Sequence, residues 1–346
     1  MKKASTKLMA LVLAVTLICG LFVGCGAKET GSSDAANNAT ETQNTPEAKK
    51  MKIVYMPRTL DEMYGVWLTD TFKEIAKTQY SEYFDFSVID LGNDATKVPD
   101  AISNAIVQGA DIIIAQLFLI DYSSIVKECV DADVAFIGIN MNREEISSVT
   151  ANVAVNEFDL GACVADYMAE NLPKNANILL LNGPAGADAT IDRRQAVIDR
   201  CIAKRPDVTI LSEQYADFDK NLAMNITEDW LQTYDKIDAI WAASDGMATG
   251  AIEAYRSNNI DMSNTMFFGI DGLTESCQSI VQGEMTASAL QDAQLYAELT
   301  LKVAYDIYTG ARAKNEPGKF YIEPSLVDAN NAQQLLDRYD ALGLLK

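Results

Sequence analysis

In the stretch Met266–Leu273, MFFGIDGL, a carboxylate, Asp271, follows directly on an apolar run. The same change of character recurs along the chain. Gln116 follows DIIIA, Asn140 follows VAFIGI, and Ser244-Asp245 follows IDAIWAA, while PRTLDEMY comes after MKIVYM and NGPAGADAT after NILLL. A carboxylate buried at the end of a core strand is costly, so Asp271 is expected to face an open cleft rather than a core, with Gly272 turning the chain away from it. Such groups accept and donate hydrogen bonds and could hold a polar molecule. Alternatively, Glu62 and Asp271 could supply the carboxylate pair of a secreted glycosidase. The chain has no histidine, which removes Ser-His-Asp and Cys-His catalysis, imidazole zinc sites and imidazole acid–base work. GPAG after a strand lacks both G-x-G-x-x-G and the P-loop Lys-Ser/Thr, so a phosphate loop is a minor alternative.

The elements that must position these groups alternate. From Met51 the runs MKIVYM, FDFSVIDL, DIIIAQL, VAFIGIN and VTANVAV read as strands. Helices are expected over Met63–Thr78, near Val98–Gln108, over Tyr122–Asp131, and from Glu157, where Leu160, Val164 and Met168 stack at four-residue spacing. The rhythm then restarts: NILLLN, a helix through Arg193–Lys204, VTILSEQ, a helix to Thr233, IDAIWAA, a helix from Asp245, and MFFGI. Uninterrupted apolar strands alternating with helices indicate an α/β chain with parallel sheets covered on both faces. Two doubly wound domains of about five strands each fit better than one sheet of about ten. Ligands of such sheets bind beyond the carboxyl ends of the strands, which is where the polar groups fall.

Charge and the N-terminal residues bound the setting. The formal net charge of −21 argues against nucleic acid as a partner. Lys2, Lys3 and Lys7 precede the uncharged run Leu8–Gly24, LMALVLAVTLICGLFVG, so residues 1–24 are expected to be a signal peptide. FVGC ends the run in a lipobox-like pattern, with Phe22 where leucine is usual, and Cys25 is the expected lipidation site. Residues 25–50 carry almost no apolar side chains and read as a disordered tether. Anchor, tether and domain together place the protein at the outer face of the cell membrane. Cys129, Cys163, Cys201 and Cys277 match no zinc spacing and are expected to be buried small hydrophobes. Free thiols in an exported chain would suit a reducing or anoxic habitat.

On TLDEMYGVW, VAFIGINMN, NGPAGADATIDRR, AASDGMATGAIEA, FFGIDGL and ALQDA, taken in order, the chain resembles the ribose- and galactose-binding class of type I substrate-binding proteins of ABC importers. AASDGMATGAIEA resembles that family's N-D-x-M-A-x-G-A segment, with Ser244 where asparagine is usual. The resemblance covers Met51–Lys346 and implies two lobes joined by a three-stranded hinge, with crossings near Val155, near Leu290 and in YIEPSL. One lobe would comprise residues 51–155 and 291–324, the other 156–290 and 325–346, closing on a ligand between them. It implies a pentose or hexose as ligand, an ABC permease as partner, a monomer, and no cofactor. Some family members hold calcium ahead of the NILLL-type strand, but ENLPKNA is too short and insufficiently acidic, so no metal is expected.

Carried over position by position, the resemblance implies a site. Glu62, where the family has Asp or Asn, would accept from ligand hydroxyls, and Tyr64 would cover a sugar face. Gln116 and Asn140 are the matching strand-end groups of the first lobe. Arg193, Phe218, Ser244 and Asp271 come from the second lobe, and Gln291 from the second crossing. Sugar chemistry suits this set. Carboxylates accept from neighbouring hydroxyls, a guanidinium donates in a fixed fork, and aromatic rings cover the C–H faces. Register leaves Arg193 against Arg194, Phe218 against a plain core role, and Tyr64 against Trp67. Other uses of the same clamp are a sugar sensor feeding a membrane kinase or chemoreceptor, and a binder of nucleosides or other polyols. Repressors that share the core would need a helix-turn-helix where this chain has its signal-like run.

Overall fold

The computed structural model describes residues 49–117, 123–141 and 150–345. The expected signal peptide, Cys25 and all of the expected tether but Lys49 and Lys50 lie outside the described residues, as does Tyr122.

The runs IIIA (β3, Ile112–Ala115) and AFIGI (β4, Ala135–Ile139) are buried at every residue, as strands covered on both faces must be. With β1 (Met51–Met56), β2 (Phe84–Val88), β5 (Ala151–Val155) and β11 (Lys319–Ile322) they form a six-stranded sheet in the order β11-β5-β4-β3-β1-β2. Its strand pairs are parallel. The second sheet takes β6 (Asn177–Asn182), β7 (Thr209–Tyr215), β8 (Ala239–Ala242), β9 (Met266–Asp271), β10 (Ala287–Leu290) and β12 (Ser325–Asp328) in the order β12-β10-β9-β8-β6-β7. Here the β10–β12 edge pair is antiparallel and the rest are parallel. Each sheet therefore has six strands, not five. The strands missing from the sequence pattern are ASAL, KFYI and SLVD: ASAL is buried but has only four residues and one large apolar side chain, and the other two are four-residue edges of mixed burial.

Helices cover the sheets. α1 (Met63–Gln79) turns Leu68, Phe72, Ile75 and Ala76 inward at helical spacing, and α9 (Ala293–Tyr308) lies beside it. In the other lobe α4 (Glu157–Asn171) packs on β9, β10 and α5 (Asp188–Ala196). α5 begins at Asp188 rather than at Arg193 and passes into a π-helical segment, Val197–Ile202. DATID has no apolar periodicity to mark it as helical, whereas an acid in the first turn suits the helix dipole. The chain passes between sheets at β5 to α4, β10 to α9 and β11 to β12.

Both strand orders reverse direction, between β3 and β1 and between β8 and β6. Loops leaving adjacent strands on either side of such a reversal part from each other and open a crevice. Cys129, Cys201 and Cys277 are buried and Cys163 is half-buried, all four as free thiols. Burial pushes the Cys129 thiol up to about 12 and that of Cys201 to about 11, leaving both unreactive.

Candidate functional site

Where strands end, the chain has to leave the sheet, and several of the turning residues are held in backbone conformations that side chains disfavour. Asn140, Phe218 and Asp271 have φ of 51°, 60° and 136°. Positive φ at such residues costs on the order of 1–3 kcal/mol each and gathers at functional sites. All three line one cavity of about 110 Å³ between the carboxyl ends of the two sheets. From the first lobe come Arg58, Thr59 and Glu62 in the loop after β1, Met63 and Tyr64 opening α1, Gln116 and Leu117 after β3, and Asn140 after β4. The second lobe contributes Glu157, Asp188, Ala189, Arg193, Phe218, Ser244, Gly246 and Asp271, and Gln291 follows β10.

Arg193 is the centre of the polar network. Its Nε donates to Glu157 (2.8 Å), one terminal nitrogen donates to the Ala243 carbonyl (2.7 Å), and the other to Gln291 Oε1 (2.9 Å). Asp271 lies 4.0 Å from the guanidinium. Burial alone would lower the arginine's affinity for its proton, but the charges of Glu157 and Asp271 outweigh it and hold the group above its ordinary value. Asp271 goes the other way. Burial pushes its carboxyl well above the usual range, Arg193 opposes this, and the adjacent Asp245 adds to it. The two directions are compatible because Glu157 is the nearer partner of Arg193, so Asp271 is compensated at longer range.

The opposite wall is built on a helix start. Arg58 and Glu62, spaced one turn apart, form an ion pair, and Arg58 also donates to Asn93 Oδ1 at 3.4 Å. Burial moves both groups of the pair toward their neutral forms, each countered by the other. Phe218 lies across the cleft with its ring centroid 5.7 Å from the Arg58 guanidinium carbon and 5.9 Å from that of Arg193. Such spacing permits cation–π attraction from both. Tyr64 turns its hydroxyl toward Gln291 without a well-formed hydrogen bond. Asn140 Oδ1 accepts from the Tyr296 hydroxyl and from the Val155 N–H (3.3 Å), which ties a cavity side chain to the first crossing.

Each of the nine residues singled out from the sequence lines this cavity: Glu62, Tyr64, Gln116, Asn140, Arg193, Phe218, Ser244, Asp271 and Gln291. The open choices also resolve. Arg194 faces outward and pairs with Glu213 at 2.6 Å, and Trp67 packs edge-on against Tyr339 at 4.5 Å. Ser244 has a second task, since its hydroxyl oxygen accepts from the Met247 N–H and caps the helix Asp245–Ser257 (α7). The expectation that Asp271 stands clear of the core needs correction. It is the last residue of β9 and 4% exposed, because the facing lobe covers the strand ends. Gly272 does turn there, at φ 74°. Sequence reading missed Arg58, Glu157 and Asp188. Arg58 stands in the quoted PRTLDEMY, and its spacing to Glu62 was the available signal. Glu157 stands two residues past the end of β5, as the first residue of α4.

Comparisons with known proteins place this geometry. A family model for the periplasmic binding protein domain matches residues 53–312. The ribose import binding protein of Bacillus subtilis (strain 168) is 26% identical over 315 residues, covering 91% of this chain and 96% of that protein. A xylitol-binding protein of Mycolicibacterium smegmatis is 26% identical over 240 residues, 69% of this chain and 67% of that one. Among solved structures, an ABC transporter solute-binding protein of Bacillus halodurans C-125 with bound myo-inositol superposes with a TM-score of 0.72 at 26% identity, over 84% of this chain and 98% of its own. A galactofuranose-binding protein shares the fold with a TM-score of 0.75 at 17% identity, over 85% and 99%. With two six-stranded α/β lobes, joined by crossings and meeting at such a cavity, this chain belongs to the periplasmic binding protein domain family in its type I form.

Proposed function

We propose that this protein is an extracytoplasmic solute receptor. It captures a monosaccharide, a pentose or hexose, between its lobes and delivers it to an ABC importer. It is a binding protein rather than an enzyme, held at the outer face of the membrane through a lipidated Cys25. The observation that carries the reading is the composition of the interlobe cavity: carboxylates, two guanidinium groups and aromatic rings converge from both lobes on a space of about 110 Å³. Hydroxyls of a sugar each donate and accept, and a site of this kind strands its own buried polar groups when a hydroxyl is missing. Glu62, Tyr64, Gln116 and Asn140 are the proposed contacts from the first lobe. Arg193, Phe218, Ser244, Asp271 and Gln291 are those from the second lobe and crossing. The named relatives, whose ligands are ribose, xylitol and myo-inositol, support a small polyhydroxylated ligand.

A thermal-shift screen tests this. Purified protein is heated with free D-ribose, D-xylose, L-arabinose, D-fructose, D-allose, D-galactose, myo-inositol and nucleosides. One class of free sugar should raise the melting temperature by several degrees, as a hundredfold excess over Kd adds about 2.7 kcal/mol. A shift with nucleosides alone would reassign the ligand, and no shift with any polyol would count against the reading.

A further inference from the structure

Helix α4 starts immediately after the first crossing, and its first residue is Glu157, 4% exposed. An acid is favoured at a helix N-terminus, yet full burial of a carboxylate there requires a partner of opposite charge. Arg193 is that partner, and the packing of two helices dictates the pairing. Gly161 lies one turn along α4 from Glu157, on the same face. A Cβ at Gly161 would come within 2.8 Å of the Arg193 Cα and carbonyl oxygen. α5 is thus pressed onto α4 at the level where Glu157 points, and the Arg193 Nε–H meets its carboxylate at 2.8 Å.

The remaining partners of Arg193 complete a frame. The Ala243 carbonyl lies at the end of β8, and the Gln291 amide oxygen stands at the second crossing. A guanidinium has five N–H groups. Three are engaged by Glu157, Ala243 and Gln291, leaving one on each terminal nitrogen to serve the cavity. Asp271, at 4.0 Å, lies beyond a direct hydrogen bond. We infer that Glu157 is a positioning residue: it fixes the Arg193 guanidinium between the two crossings and keeps it from collapsing onto Asp271, so that both groups face a ligand.

This inference rests on the sugar-receptor reading only for its purpose; the geometry it asserts is tested without a sugar. The groups that face the Asp271 carboxyl are Arg193 on α5, Glu157 on α4, Asp245 on α7, Tyr64 on α1 and Arg58 in the loop after β1. Glu157→Gln keeps the shape and an acceptor for Nε–H but removes the charge. Arg193 then transfers to Asp271, the carboxylate 4.0 Å from it, and the Asp271 proton becomes easier to lose. Carbon-13 NMR of aspartate-labelled full-length protein, with the Asp271 resonance assigned through Asp271→Asn, should show its titration midpoint falling by about one pH unit or more in Glu157→Gln. Glu157→Asp, which retains the charge, should restore the wild-type midpoint. An unchanged midpoint in Glu157→Gln, or a fall that Glu157→Asp does not reverse, would overturn the positioning role. Calorimetric titration with the sugars of the screen adds a second readout, in which Glu157→Gln should bind at least about tenfold more weakly than wild type. Equal affinity also overturns the role. Wild-type protein that binds none of these sugars counts against the receptor reading, and the NMR midpoint still decides the place of Glu157.

Discussion

Asp271 in the cavity wall lies against a second buried aspartate, Asp245, and their environments assign them different work. Asp245 is fully buried and accepts from the Ser288 hydroxyl (2.6 Å) and the Leu273 N–H (2.8 Å), so it braces the loop after β9. Burial pushes its carboxyl up to about 6, with those hydrogen bonds opposing the rise. The folded protein therefore holds this proton more tightly than the unfolded chain does, for which 3.8 is the ordinary value. Its contribution to stability is complete below about pH 4 and is lost as the pH climbs through about 6, to a total of roughly 3 kcal/mol. Urea unfolding of wild type and Asp245→Asn from pH 4 to pH 8 should show the variant gaining on wild type by about that amount. A difference that stays constant with pH would remove Asp245 from this role. At this scale the sequence was informative where a polar residue broke an apolar run, as at Asn140, Ser244 and Asp271. It was silent about which carboxylates would be buried together, because Asp245 and Asp271 meet only through the parallel pairing of β8 and β9.

Elements were legible in proportion to how continuously apolar they are. IIIA and AFIGI could be nothing but interior strands, whereas KFYI and SLVD, at the sheet edges, are of mixed burial and each carries a charged residue. The start of α5 at Asp188 was hidden for a related reason: its first turn buries little, and the helix is held by its contact with α4. That contact depends on a glycine. Gly161→Ala would set a methyl group 2.8 Å from the Arg193 backbone and 3.0 Å from Ala196 Cβ, and neither neighbour can retreat without moving α5. The substitution should lower stability by about 1–3 kcal/mol in denaturant unfolding and weaken sugar binding by displacing Arg193. Wild-type stability in Gly161→Ala would show that the helices can separate at no cost.

For the whole molecule, the strand orders explain why a cavity forms between the lobes. Each sheet reverses direction once, each reversal opens a crevice at the carboxyl edge, and the crossings after β5, β10 and β11 bring the two crevices face to face. The family resemblance and the strand-end pattern converged on the cavity because both depend on this topology. Arg58 and Glu157 escaped because their partners, Glu62 and Arg193, had drawn attention as ligand contacts rather than as charges to be balanced. The net charge of −21 has no bearing on this pairing, which is settled inside a covered cleft. Of the residues in the cavity, Asp271 bears the central claim most directly, since it lines the cavity from a strand end and is proposed to accept from two ligand hydroxyls. Isothermal titration with the sugar that most stabilises the protein should give one site per chain for wild type. Asp271→Ala, folded by circular dichroism, should bind at least about a hundredfold more weakly, the loss of two charge-assisted hydrogen bonds of roughly 1.5 kcal/mol or more each. Equal affinity in the folded variant would contradict the account and place the sugar elsewhere.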